Sequence, residues 1–253
     1  MTTALQAARA PQRHVLLGTG VDAVTLAGAL AWIDAAIARR RPVYVVTLNG
    51  AMLVQAAGDA ALRTLVNGAG LVTADGVGVL LAARILGVRL AQRVAGIDLM
   101  LALCERAAET GWRIFLLGAA PGVAATAAEA LRARFPGLQI AGVWHGFFTP
   151  ADELAVLEAI RRASPDVLVV GMGAPRQEEW IGRWHGALGV PVSIGVGGSL
   201  DVIAGRLPRA PRWMQRLGLE WLYRAVREPR RWQVVRTIPR LFWLAVRERW
   251  RHR

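Results

Sequence analysis

Asp75 closes an apolar run, Leu71–Ala74, and is followed by Gly76 and by a helical stretch beginning at Val77. A carboxylate in that position can cap a helix or take a proton from a hydroxyl, and the residue alone leaves both readings open. Its company favours chemistry. Thr47 and Asn49 leave a second apolar run, Val43–Leu48, and supply uncharged hydrogen-bonding groups beside which a lone acid can stay ionised and work as a base. A third run, Val167–Val170, leads into Gly171-Met-Gly-Ala-Pro175-Arg176-Gln177. Proline suits the first turn of a helix because its missing N–H is not needed there. The amides of a helix start can hold a phosphate, although an ordinary loop explains the same residues equally well. After Val192–Ile194 comes Gly195-Val-Gly197-Gly198-Ser199, which lets backbone approach a ligand closely. Gly118-Ala-Ala-Pro-Gly122 lacks the spacing and following acid of a dinucleotide fingerprint and reads as structural.

The absent residue types narrow the chemistry. All 31 basic side chains are arginine, which removes Schiff-base and P-loop lysine mechanisms. Cys104 is the single cysteine, so no internal disulfide and no thiolate cluster is expected, in keeping with a reducing cytosol. His14, His145, His185 and His252 show no metal-ligand spacing. There is no Asp-x-Asp pair, no Gly-x-Ser-x-Gly elbow and no Walker A sequence. No metal or other cofactor is therefore expected, and a departing diphosphate would have to be neutralised by arginines. Arg93 and the arginines of the C-terminal tail are the available donors.

The elements that must position these residues alternate. Strand candidates are Val43–Leu48, Leu71–Ala74, Trp112–Leu117, Gln139–Val143, Val167–Val170 and Val192–Ile194. Helical stretches are Asp22–Arg40, Ala51–Val66, Val77–Leu86, Ile97–Thr110, Gly122–Phe135, Asp152–Ala163 and Pro175–His185. Nearly continuous apolar strands require cover on both faces. With this alternation they predict an α/β, three-layer, Rossmann-like sandwich with a mainly parallel sheet, whose ligands bind beyond the carboxyl ends of the strands.

The charge balance divides the chain near Gly205, into a body of residues 1–205 and a basic, helical appendage of residues 206–253. The appendage holds fourteen arginines, five tryptophans and only three acids, so it carries nearly all of the formal net charge of +13. Concentrated cation with interleaved tryptophan suits an anionic membrane surface better than a nucleic-acid groove. Trp232, Val235, Ile238, Phe242 and Val246 fall three or four residues apart and form one helical stripe, with Pro239 placed to kink or divide the helix. The plain alternative is that this stripe packs on the body. No segment is long and apolar enough to span a bilayer and no secretory signal is present, so contact with a membrane would be peripheral.

The motifs together resemble the WecG/TagA/CpsF family of bacterial glycosyltransferases (glycosyltransferase family 26) over about residues 40–235. The matching stretches are Thr47-Leu-Asn49-Gly50, Thr73-Ala-Asp75-Gly76-Val-Gly78 and Arg93-Val-Ala-Gly96-Ile-Asp98-Leu. Further along are Val170-Gly-Met-Gly-Ala-Pro-Arg-Gln177-Glu, Gly195-Val-Gly-Gly198 and Arg209-Ala-Pro-Arg-Trp213-Met. Gly218-Leu-Glu220-Trp221-Leu-Tyr-Arg224 and Glu228-Pro229-Arg230-Arg231 complete the set. Leu200 stands where the family usually has an aromatic.

The resemblance implies an inverting, metal-independent transfer of a sugar (N-acetylmannosamine, glucose or a uronic acid) from a UDP-sugar to a polyprenyl-diphosphate-linked saccharide in cell-surface polysaccharide assembly. It implies Asp75 as general base, with Thr47, Asn49, Arg93 and Gln177 at the substrate pocket, beside which Gly197 and Gly198 of the glycine loop are the candidates for close backbone approach to substrate. Arg224 and Arg231 would close over the diphosphate. It also implies a cytoplasmic protein attached to the inner face of the plasma membrane through its tail; a homo-oligomer is compatible with this. A basic-tailed nucleic-acid-binding protein and an NAD-dependent oxidoreductase are the competing classes. The first leaves the polar strand ends unexplained and the second lacks its glycine fingerprint.

Overall fold

A computed structural model describes residues 11–216, 219–227 and 232–251. The chain opens with a short hairpin, β1 (Arg13–Leu16) and β2 (Thr19–Asp22), followed by α1 (Leu26–Arg39). Next come β3 (Val43–Leu48), α2 (Gly50–Gly58), α3 (Ala60–Gly68), β4 (Leu71–Ala74), α4 (Val77–Ile85) and α5 (Gly96–Thr110). The second half of the body holds β5 (Arg113–Gly118), α6 (Val123–Arg134), β6 (Gln139–Trp144), α7 (Glu153–Ala163) and β7 (Val167–Gly171). It closes with α8 (Arg176–Leu188), β8 (Val192–Gly195) and α9 (Ser199–Ile203). The appendage supplies α10 (Arg212–Arg216), α11 (Glu220–Arg227) and α12 (Trp232–Arg251).

β3 to β8 form one six-stranded, wholly parallel sheet in the order β4-β3-β8-β7-β5-β6. Successive residues of each strand feed opposite cores. Val45, Leu71, Leu116, Val169 and Ile194 pack with α1, α5 and α6 on one face. Val46, Leu48, Leu117, Leu168 and Val170 pack with α2, α3, α7 and α8 on the other. This is the three-layer α/β sandwich expected of strands apolar on both faces.

Three local readings change. The hairpin was not anticipated: Asp22 ends a strand, where helix was expected from that residue. It is buried, paired with Arg13 at 2.8 Å, and accepts the Val72 amide at 2.7 Å. The stretch Ala51–Val66, read as one helix, divides at Asp59, whose carboxylate caps α3 by accepting from the Ala61 and Leu62 amides. The third concerns the tail.

α12 runs unbroken from Trp232 to Arg251 with Pro239 inside it, and it rests against α2, α4 and α11. Among its described side chains the buried ones are Leu241 and Ala245, whereas the stripe expected to be apolar contact includes the exposed Val246. Leu241 seats against two glycines: a Cβ on Gly50 or Gly78 would come within 3.1 or 3.4 Å of it. Burying a leucine contributes about 2 kcal/mol. Glu248 accepts the Leu17 amide at 3.2 Å, and the Arg249 guanidinium donates to the Ile85 carbonyl. Arg249 is thus a docking residue against the end of α4. Trp243, Val246, Trp250 and Arg247 face outward, with the Arg247 guanidinium 5.0 Å from the Trp243 ring centre. Among the described residues no helix is long and apolar enough to cross a membrane.

Candidate active site

The four strand ends singled out in the sequence belong to four consecutive strands, β4, β3, β8 and β7. All are parallel, so their carboxyl ends form one continuous rim. Chain order scatters these residues and the sheet brings them side by side.

Asp75 leaves β4 with its amide bonded to the Leu48 carbonyl at 2.7 Å. Gly76, rather than Asp75, holds the cap position of α4. The Asp75 carboxylate instead accepts, through Oδ2, the amide of Gly96 at 3.2 Å. Gly96 is the first residue of α5, where an unpaired N–H suits a carboxylate. The approach works because residue 96 is glycine: a Cβ there would lie 3.0 Å from the Thr47 hydroxyl oxygen. The Val94 amide bonds to the Ala74 carbonyl and the Thr73 hydroxyl to the Val94 carbonyl. The segment preceding α5 is therefore stitched alongside β4.

Thr47 and Asn49 sit where expected but are engaged by the protein. Thr47 is 4% exposed and donates its hydroxyl to the Gly195 carbonyl at 2.8 Å, tying β3 to the end of β8. Asn49 caps α2, its Oδ1 accepting the Met52 amide at 3.0 Å. Both shape the floor and wall of the rim. Gly197 and Gly198 form the turn above them, Gly197 with φ +56° and Gly198 at the cap of α9.

Gln177 lies in the first turn of α8 as expected. Its own amide is committed to the Gly173 carbonyl at 2.9 Å, so the helix start presents one donor fewer than a phosphate cradle would want. The side chain is 2% exposed; Oε1 accepts the Gly197 amide at 2.9 Å and Nε2 donates to Glu178 Oε1 at 2.7 Å. Glu178 itself is 1% exposed. Burial lifts its carboxyl from 4.5 to about 7, against the opposing pull of the Gln177 hydrogen bond.

Arg93 is not an uncommitted cation. It pairs with Asp98 in the first turn of α5 at 3.8 Å and with Glu220 at the start of α11 at 3.4 Å. Arg209 joins the same group, bonded to Asp98 and lying 3.6 Å from Glu220. Two guanidinium groups and two carboxylates, all partly buried, thus link the body to the appendage. Asp98, Arg209, Glu220 and Glu178 were not picked out individually in the sequence. An acid in the first turn of α5 was the one available signal, and it is also the ordinary place for such a residue. Arg231 and the side chain of Arg224 lie outside the described residues. Cys104 is buried in the body, its thiol pushed up to about 12 by burial, and it plays no part at the rim. Among the described residues no three His, Cys, Asp or Glu side chains gather as metal ligands.

A doubly covered parallel sheet, a carboxylate at its carboxyl edge, a glycine turn beside it and arginines at the margin define an α/β enzyme of the group-transfer kind. The chain belongs to a family matched over residues 14–253 and described as the glycosyl transferase WecG/TagA/CpsF family, and it is a glycosyltransferase. It is 33% identical over 197 residues to the N-acetylglucosaminyldiphosphoundecaprenol N-acetyl-beta-D-mannosaminyltransferase of Bacillus spizizenii, spanning 78% of this chain and 76% of that one. The proteins of the same name from Staphylococcus aureus and Bacillus subtilis are 36% and 34% identical, over 78% and 77% of this chain and 76% and 75% of theirs.

Proposed function

We propose that the enzyme moves N-acetylmannosamine from UDP to a polyprenyl-diphosphate-linked N-acetylglucosamine, with inversion and without a metal. The carrying observation is the Asp75 carboxylate, held by the Gly96 amide on the same rim as the glycine turn and Arg93. The shared name of these three relatives supports the choice of sugar and acceptor.

In this reading Asp75 takes the proton of the acceptor hydroxyl. The oxygen attacks the anomeric carbon as the bond to UDP breaks, and the electron pair departs onto the diphosphate. Charge growing on that leaving group is met by arginine, the electrostatic contribution that dominates many such reactions. Arg93 and Arg209 exchange one carboxylate partner for phosphate oxygens when they do this. The turn at Gly197 and Gly198, which carries no side chains, lets the nucleotide diphosphate approach closely, while the Gly197 amide stays bonded to Gln177.

A lipid-linked acceptor accounts for the outward face of the appendage. Trp243 and Trp250 are 57% and 76% exposed beside Arg240, Arg247 and Arg251, a composition suited to a headgroup layer. The protein accordingly works at the cytoplasmic face of the plasma membrane, attached peripherally. The test is direct: incubate the protein with synthetic polyprenyl-diphosphate N-acetylglucosamine and a panel of UDP-sugars, and follow UDP release. UDP-N-acetylmannosamine should be the productive donor; release with none of the panel overturns the reading.

A further inference from the structure

The glycine turn after β8 is gripped at two backbone atoms. Its Gly195 carbonyl accepts the Thr47 hydroxyl at 2.8 Å, and its Gly197 amide donates to Gln177 Oε1 at 2.9 Å. The second grip depends on which way the Gln177 carboxamide faces. A carboxamide keeps nearly the same shape when flipped, but oxygen and nitrogen change places. Flipped, Nε2 would meet the Gly197 N–H, donor against donor.

What opposes the flip is the neighbouring residue. Glu178 Oε1 accepts from Gln177 Nε2 at 2.7 Å, and in the flipped state it would face an oxygen. This contact sits directly under the turn: a Cβ on Gly195 would lie 2.7 Å from Gln177 Nε2 and 3.1 Å from Glu178 Oε1. Burying a carboxyl is costly, and Glu178 Oε2 lies buried without a hydrogen-bond partner. A side chain whose only role was to fill space would be better served by an apolar group there.

We propose that Glu178 is a positioning residue for donor binding: it fixes the Gln177 carboxamide, which fixes the Gly197 amide and so the turn that receives the nucleotide diphosphate. Glu178 touches no reacting atom; it acts through Gln177. The assignment rests on the donor reading given above, and the experiment separates the two.

UDP binding to the full-length protein is measured by calorimetry, and exchange of the Gly197 amide by NMR, for wild type, Glu178→Met, Glu178→Gln, Gln177→Ala and the Gln177→Ala/Glu178→Met double variant. Loss of a buried acceptor should weaken UDP binding about tenfold in Glu178→Met and expose the Gly197 amide to exchange. Glu178→Gln keeps an acceptor oxygen and should restore both to near wild type. Gln177→Ala should lose as much as Glu178→Met, and the double variant should lose no more than Gln177→Ala alone, because the two residues act in series. Should Glu178→Met fail to fold, Glu178→Asp, one methylene shorter, withdraws the acceptor and carries the same expectation. A protected Gly197 amide with unchanged UDP binding in Glu178→Met, or losses that add in the double variant, overturns the proposal. If wild type itself does not bind UDP, the donor reading falls, and the relay is judged on Gly197 exchange alone.

Discussion

Replacing Glu178 by glutamine should change the pH dependence of stability in a calculable way. The carboxyl is lifted from 4.5 to about 7, first by burial and, more weakly, by the nearby Glu179 charge, with the Gln177 bond pulling the other way. A group that holds its proton more tightly folded than unfolded stabilises the fold while it is protonated in both states. That advantage declines as the unfolded chain ionises above pH 4.5 and is gone once the folded carboxyl ionises near pH 7. At about 1.4 kcal/mol per pH unit, the interval corresponds to roughly 3 kcal/mol. Glutamine does not titrate and keeps the acceptor that Gln177 uses. Urea unfolding of wild type and Glu178→Gln across this range should therefore show the variant gaining on wild type as pH rises, by about 3 kcal/mol in total, with the difference levelling off above neutrality. Other titrating groups cancel in the comparison. A difference that stays flat from acid to mildly basic pH would show that the buried carboxyl ionises as freely folded as unfolded, and the reasoning from burial would be wrong.

Three further outcomes are expected. Gly96→Ala should press a methyl group onto the Thr47 hydroxyl, which would lie 3.0 Å from it, and shift the amide that holds Asp75; turnover in the UDP-release assay should fall about 10- to 100-fold with donor affinity largely kept, and unchanged turnover would dismiss the Gly96–Asp75 contact as incidental. Activity should survive EDTA, since arginines are expected to meet the leaving diphosphate; loss on chelation with recovery on added Mg²⁺ or Mn²⁺ would refute that assignment. Replacing Trp243, Trp250, Arg247 and Arg251 together should abolish sedimentation with anionic liposomes while sparing turnover on a short, water-soluble acceptor; each arginine at such a surface is worth about 1 kcal/mol. Retention of the wild-type protein on DNA but not on liposomes would reverse the membrane reading.

Much of the sheet was legible because most of its strands are nearly continuous apolar runs, and the rim because polar or glycine residues follow four of those runs directly. What the sequence hid is of two kinds. Some contacts join residues with no periodic relation: Thr47 and Gly195 are 148 positions apart, so a threonine that ties two strands reads the same as one that meets substrate. Other elements lack their usual signals. β1 and β2 have four residues each, and their turn places Leu17 and Gly18 at φ +50° and +78°, a conformation in which leucine is seldom found and asparagine would have advertised the hairpin. In α12 the run Leu241-Phe-Trp-Leu-Ala-Val246 is apolar all round, so periodicity could not choose which face docks; the glycines of α2 and α4 decide it by making room for Leu241. Arg93 was read from the sequence as an available cation, but its pairing with Glu220 depends on the appendage folding back, which no local pattern encodes.

The measurement that bears most directly on the account is transfer by Asp75→Asn. The amide keeps the shape of the side chain and an oxygen for the Gly96 N–H, but it cannot take a proton from the acceptor. With UDP-N-acetylmannosamine and synthetic polyprenyl-diphosphate N-acetylglucosamine, turnover should fall by about 10² to 10⁴, while UDP binding measured by calorimetry stays close to wild type. Turnover near the wild-type rate would contradict the assignment of Asp75 as the base and leave it only the structural task of holding the start of α5.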